Sequence, residues 1–318
     1  MMKTWVRQSR QYIQYGIGLL SMSAVFYYLF QHKDSLNVIT DFSFMHLSAM
    51  LGLTLIINVI YAEKVLAILK QLNLGEISRY EWLKIFFMSR FINLHVPQGA
   101  LFYRSYQLKQ RFNFSYASSL SVTATYSLLE TVVVLVVGFI ALTILNLFTP
   151  QLPIEVFVIL GSFCLALLAV PAALVLCKSQ FYLIKSNWLA NRARDFSNSF
   201  TLSFKSHSLL KQLTLMNLLT LALQFIWMQQ CFLAIGLSHP ASYIFLYVIV
   251  LQLSGTVRIL PGNWGVTELV CGALAVFLGL DFSNGLIISL LTRLVVYCAF
   301  MLIGIFYCIT ERFCIKTV

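Results

Sequence analysis

A succession of apolar runs restricts this chain most. They lie at 11–30, 44–62, 117–147, 154–177, 213–236, 242–260, 264–280 and 285–309, and they are nearly free of charge. A bilayer core takes about 20 helical residues to cross, whereas a barrel strand needs about 10 in an alternating pattern. Lipid offers the backbone no hydrogen-bond partner, so only helices or closed barrels span it. Runs of this length and uniformity select helices. The prediction is an all-α polytopic transmembrane helix bundle with about eight crossings and a re-entrant or broken segment in each half.

Composition agrees. The 318 residues are 59% hydrophobic and 10% charged, while a soluble domain carries about a quarter charged residues. The whole chain, 1–318, reads as one integral membrane domain, with halves 1–177 and 213–318 joined by a basic loop, 178–212. The N-terminus (Lys3, Arg7, Arg10, then 11–30) resembles a signal peptide, but no small-x-small cleavage site follows, so it is expected to stay as the first span. Seven cysteines (Cys164, Cys177, Cys231, Cys271, Cys298, Cys308, Cys314) show no metal or disulfide spacing and read as small core residues.

The net charge of +11 is distributed by topology rather than along a nucleic-acid groove, so no nucleic-acid partner is expected. All Lys and Arg except Arg90, Arg258, Arg293 and Lys33 lie at the N-terminus, in 63–84, in 104–111, in 178–211 or after 311. The loops at 31–43, 148–153, 237–241 and 281–284 hold Lys33 as their single basic residue. Under the positive-inside rule both termini are cytoplasmic, in the inner membrane. The basic stretches 70–84 and 178–212 either set topology alone or also touch anionic headgroups.

Ionisable side chains within spans cost about 2.5 kcal/mol or more each, which makes them candidates for function. Arg90, Arg258 and Arg293 stand against Glu130 and Glu268, with His95 alongside. One cation is left over. Either an anionic ligand balances it, or the charges form an internal network. His95 reads as polar filler at a helix break or as a proton carrier.

Two interrupted segments accompany these charges. Arg90 is followed by Pro97, Gln98, Gly99 and Arg104; Arg258 is followed by Pro261, Gly262, Asn263, Gly265 and Glu268. Broken helices in both halves mark a transporter's substrate site. A helix restarting after Gly262, with Asn263 as its cap, would aim backbone N–H groups at an anion. Gly265, Gly272 and Gly279 recur every seven residues, so a close neighbouring helix is expected over Glu268, with Arg293 as its partner. Tyr126 and Glu130, at i and i+4, form a polar stripe on another span.

The run Arg258-Ile-Leu-Pro-Gly-Asn-Trp-Gly-Val-Thr-Glu268, the short glycine-rich helix after it and Leu-Thr-Arg293-Leu resemble the transmembrane region of lysylphosphatidylglycerol synthetases. Pro97-Gln-Gly99 with Arg104 and the Ser/Thr-rich 117–127 resemble that family's other signature. The second signature departs from the pattern in two places. Gln98-Gly99-Ala100 lacks an acidic residue after the glycine, and Tyr126 precedes Glu130 where relatives carry Arg. The resemblance implies flipping of an aminoacylated phospholipid or, for stand-alone relatives, a link to polyprenyl-linked sugars or envelope glycolipids. No part of this sequence reads as the soluble aminoacyl-transferase domain.

The expected function is translocation of an anionic lipid, with Arg258, Arg293, Arg90 and Arg104 at the phosphate and Glu268, Glu130, Tyr126 and Asn263 in support. No catalytic residues, metal or cofactor are expected. The alternatives are a membrane glycosyl- or acyltransferase, or an accessory subunit of an envelope-synthesis enzyme docked through 178–212. An aqueous ion channel is disfavoured, because the spans lack a repeated polar face.

Overall fold

The computed structural model describes residues 44–72, 77–96, 98–148, 152–177, 206–256 and 265–315, with Tyr27 and Phe204 besides; the side chains of 166–177, 256 and 308–315 lie outside the description. Among the described residues every element is a helix: α1 (Phe44–Gln71), α2 (Arg79–His95), α3 (Gly99–Phe112), α4 (Tyr116–Phe148), α5 (Ile154–Cys177), α6 (His207–Ala234), α7 (Ala241–Thr256), α8 (Val266–Phe277) and α9 (Phe282–Ile315). Four segments are long and apolar enough to cross a bilayer: Phe44–Gln71, Tyr116–Phe148, His207–Ala234 and Phe282–Tyr307. The expected helical membrane bundle is what the chain forms.

Helix α8 has 12 residues, about 18 Å of rise against a hydrocarbon core of about 30 Å. It cannot cross alone. The segment 82–100 is two helices with a corner between them. Ser78 caps α2 by accepting from the Glu81 N–H at 3.2 Å. The helix then ends at Val96, whose φ of −119° and ψ of 124° are the extended geometry imposed on a residue before proline. Pro97 itself lies outside the described residues. Gln98 turns left-handed, φ 57°, and α3 starts at Gly99. A Cβ on Gly99 would lie 2.8 Å from the Ile92 methyl, so this corner needs glycine.

Helices α1 and α6 run antiparallel and are tied by polar groups along their shared seam. His46 pairs with Gln230 at 2.7 Å, and Trp227 donates to the Met50 carbonyl and Thr54 hydroxyl at 3.0 Å each. Gln224 donates to the Tyr61 hydroxyl at 2.6 Å, and Lys64 donates to Asn217 at 2.7 Å. Each contact pairs a polar group that would otherwise be stranded in an apolar environment. The partner numbers fall along α6 as they rise along α1, which fixes the antiparallel sense.

One apolar core gathers α4, α6, α7 and α9 around Met228, Phe232, Tyr247 and Ile288. A second gathers α1, α2 and α6 around Ile57, Trp82, Phe86 and Leu213. The α8–α9 hairpin is the tightest contact. A Cβ on Gly285 would lie 2.1 Å from the Cys271 carbonyl oxygen, and one on Gly272 would meet the Phe282 ring at 2.5 Å. The expected heptad stripe is therefore corrected. Only Gly272 of the three lies within α8. Gly265 (φ 83°) and Gly279 (φ 76°) sit at its ends in left-handed geometry. Cys231 and Cys271 are fully buried core residues, whereas Cys298 is exposed.

Candidate functional site

Two charge clusters emerge, one in each half. The first forms where α1, α2, α3, α4 and α6 meet. Lys64 of α1 is fully buried. Its ammonium donates to Asn217 Oδ1 at 2.7 Å and Thr220 Oγ1 at 3.0 Å, and it lies 4.4 Å from the Tyr61 ring centroid and 5.8 Å from that of Tyr126. The Arg90 guanidinium of α2 sits 5.5 Å from the same Tyr61 ring and 5.3 Å from the Phe86 ring. Arg104 of α3 reaches Phe86 from beyond the corner, at 5.7 Å. These are cation–π distances, and such contacts gain strength when desolvated. The break after Val96 thus folds two arginines onto one aromatic ring.

Glu130 of α4 is the carboxylate of this cluster. It acts on Tyr61, Lys64 and Tyr126, and lies close enough to both phenol hydroxyls to interact with them. Tyr61 and Tyr126 meet edge to face at 6.0 Å. Among the described residues no carboxylate is in salt-bridge contact with Lys64 or Arg90. Lys64 bonds to an amide and a hydroxyl, and Arg90 and Arg104 lie over aromatic rings.

The second cluster is closed. Glu268 of α8, 1% exposed, forms an ion pair with Arg293 of α9, which is 13% exposed. Arg293 Nη2 also donates to Glu268 Oε2 at 3.3 Å, and the Gly265 N–H donates to the same oxygen at 2.7 Å. One carboxylate neutralises an arginine and caps a helix, so α8 is pinned to α9 at its N-terminal end. The expected Glu268–Arg293 pairing is present. The expected cap is not. Helix α8 begins at Val266 with Gly265 as its N-cap, so Asn263 is not the cap, and an available backbone donor is already occupied by Glu268.

Arg258, Pro261, Gly262 and Asn263, like residues 178–203 and Lys205 of the basic loop, lie outside the described residues. Arg90, Arg104, Tyr126 and Glu130 are brought together; Arg293 and Glu268 form the separate pair. His95 is exposed at the end of α2, its ring 5.4 Å from Phe91 and 6.5 Å from Tyr297. The sequence reading missed Lys64, which it assigned to a cytoplasmic basic stretch, and with it Tyr61, Asn217 and Thr220. The available signal was Asn217 and Thr220, three residues apart on one face of an apolar span. A cleft of about 320 Å³ opens elsewhere, between the C-terminal end of α1 and the start of α6, lined by Glu63, Lys70, Arg79 and Ser206 among others. Among the described residues no group of His, Cys, Asp or Glu could hold a metal ion.

The model of the family described as the lysylphosphatidylglycerol synthase TM region covers residues 13–304, and the chain belongs to that family. No curated protein and no solved structure matches it.

Proposed function

We propose that this multi-pass membrane protein of the lysylphosphatidylglycerol synthase TM-region family translocates an anionic lipid across the inner membrane, as one domain with both termini cytoplasmic. The lipid is a phospholipid or a polyprenyl-phosphate-linked glycolipid. The observation that carries this reading is the first cluster: Lys64, Arg90 and Arg104 converge at a helix break, and among the described residues no carboxylate is in salt-bridge contact with Lys64 or Arg90. Guanidinium groups hold phosphate in a fork, and such charge-assisted bonds are about twice as strong as neutral ones. The Tyr61 and Phe86 rings keep Arg90 oriented without neutralising it, so an arriving phosphate meets a guanidinium already held in place.

In this mechanism Arg90 and Arg104 take the phosphate, and Glu130 competes with it so that the headgroup can leave. Arg258, which lies outside the described residues, is assigned to the phosphate on its sequence context alone. Arg293 acts through Glu268, which fixes the short helix beside that break, and it does not itself bind the lipid. This revises the phosphate set expected from sequence alone.

A leaflet assay in reconstituted vesicles tests the proposal. Arg90→Gln, Arg104→Gln and Arg258→Ala are each expected to abolish or strongly slow the appearance of a labelled anionic lipid in the opposite leaflet while the protein stays folded. Wild-type rates in all three variants would end it.

A further inference from the structure

Lys64 is a buried cation whose hydrogen bonds go only to neutral acceptors. It stands one aromatic ring away from half-buried Arg90: Nζ lies 4.4 Å and the guanidinium carbon 5.5 Å from the Tyr61 centroid. Glu130 and Arg90 act on it through space. An ammonium has three donors, and here two of them are used. The contrast with Arg293, which has its own carboxylate, is chemical. A cation that serves packing alone is least costly when paired, whereas Lys64 is held at the α1–α6 seam by an amide and a hydroxyl.

Thr220 does not depend on Lys64, since its hydroxyl also donates to the Met216 carbonyl at 3.0 Å or the Asn217 carbonyl at 2.9 Å. Asn217 is the exchangeable partner. We propose that Lys64 is a headgroup-binding residue held in reserve. In the empty protein Asn217 and Thr220 occupy its donors and tie α1 to α6. An anionic phosphate passing Tyr61 from Arg90 displaces them, and the tie opens as the lipid binds. The difference in strength between charge-assisted and neutral bonds drives the exchange. It gives the ligand the differential affinity for two helix arrangements that any ligand-driven change requires. This rests on the anionic-lipid reading above and adds to it the residue that couples binding to movement.

The test uses the purified full chain in mild detergent, offered equal phosphatidylglycerol and phosphatidylcholine, with bound lipid counted by native mass spectrometry and unfolding followed by heat. Lys64→Met and Lys64→Gln are expected to reduce the preference for phosphatidylglycerol about tenfold, the equivalent of about 1.4 kcal/mol. Asn217→Leu is expected to act in the opposite direction on binding: it lowers thermal stability, because α1 and α6 lose a tie, yet raises the preference several-fold, because Lys64 is released. A lysine that only staples two helices would give lower stability in all three variants and no gain from Asn217→Leu. Unchanged preference in Lys64→Gln, or a reduced one in Asn217→Leu, overturns the inference while leaving the anionic-lipid reading standing. A wild-type protein with no preference for phosphatidylglycerol overturns both. If Lys64→Met does not fold, the other two variants decide.

Discussion

The two halves use the same residue types for different ends. Around Glu268 one acid meets one arginine, and the carboxylate oxygen that accepts from Arg293 Nη2 also caps a helix. Glu130 acts on Lys64, Tyr61 and Tyr126, while Lys64 binds an amide and a hydroxyl and Arg90 and Arg104 lie over the Phe86 ring. The first cluster sits beside the corner at Val96, and the second pins the short helix α8. The comparison teaches that partly buried arginines in one chain can differ in how they are paired. What separates the two is charge balance. The closed pair locks short α8 onto α9, and in the proposed function the open cluster is the one that receives the anion.

The largest expected effect breaks the closed pair. Glu268→Ala leaves Arg293 uncompensated and Gly265 uncapped, and should cost about 3–5 kcal/mol, as removing one partner of a buried pair does. Thermal unfolding in detergent reads it, and a Glu268→Ala/Arg293→Met double variant should regain most of the loss. A double variant no better than the single one would mean that the pair does not act as a unit.

Next comes the hairpin that holds this pair. Gly285→Ala places a methyl 2.1 Å from the Cys271 carbonyl, and overpacking of this kind costs about 1–3 kcal/mol. Its melting temperature should fall. Gly52→Ala, with nothing within 4 Å of the new carbon, should leave the melting temperature unchanged or slightly higher.

The open cluster should behave in the reverse way. Arg90→Gln is expected to change stability by about 1 kcal/mol or less, since no carboxylate is abandoned, while lipid transfer collapses. A large stability loss with normal transfer would put Arg90 in the same class as Arg293.

The smallest effect lies outside both clusters and calibrates them. His239, in the loop between α6 and α7, stacks on Tyr243 at 6.0 Å, and burial lowers its pKa from the ordinary value of 6.5. The unfolded chain therefore takes up a proton first, so stability is complete above about pH 6.5 and declines as pH falls through and below it. His239→Gln should remove that slight slope, as read from melting temperature between neutral and mildly acidic pH.

Much of the architecture was legible in local sequence. The pre-proline rule places the end of α2 at Val96, the length of 264–280 announces a helix too short to cross, and a buried Glu268 calls for a cation such as Arg293 on the following span. What escaped depends on distant partners. Lys64 stands just beyond the apolar run 44–62 and beside Glu63, so it reads as a boundary residue; α1 instead continues to Gln71, and Asn217 and Thr220, far along the chain, make burial tolerable. The cap of α8 was misplaced because Asn263 is the residue type that usually caps, while Glu268 does the work from inside the helix. Gly285, which sets the closest approach to α8, belongs to no repeat and carries no signal until α8 and α9 are seen together.

The most direct measurement is the lipid carried by the wild-type protein and by an Arg90→Gln/Arg104→Gln variant. Each is purified in mild detergent and offered equal phosphatidylglycerol and phosphatidylcholine before native mass spectrometry. A net-positive cluster at the first break predicts that wild type retains phosphatidylglycerol over phosphatidylcholine and that the folded variant retains neither in preference. Equal retention by wild type, or an undiminished preference in the variant, would contradict the assignment of that cluster to an anionic headgroup.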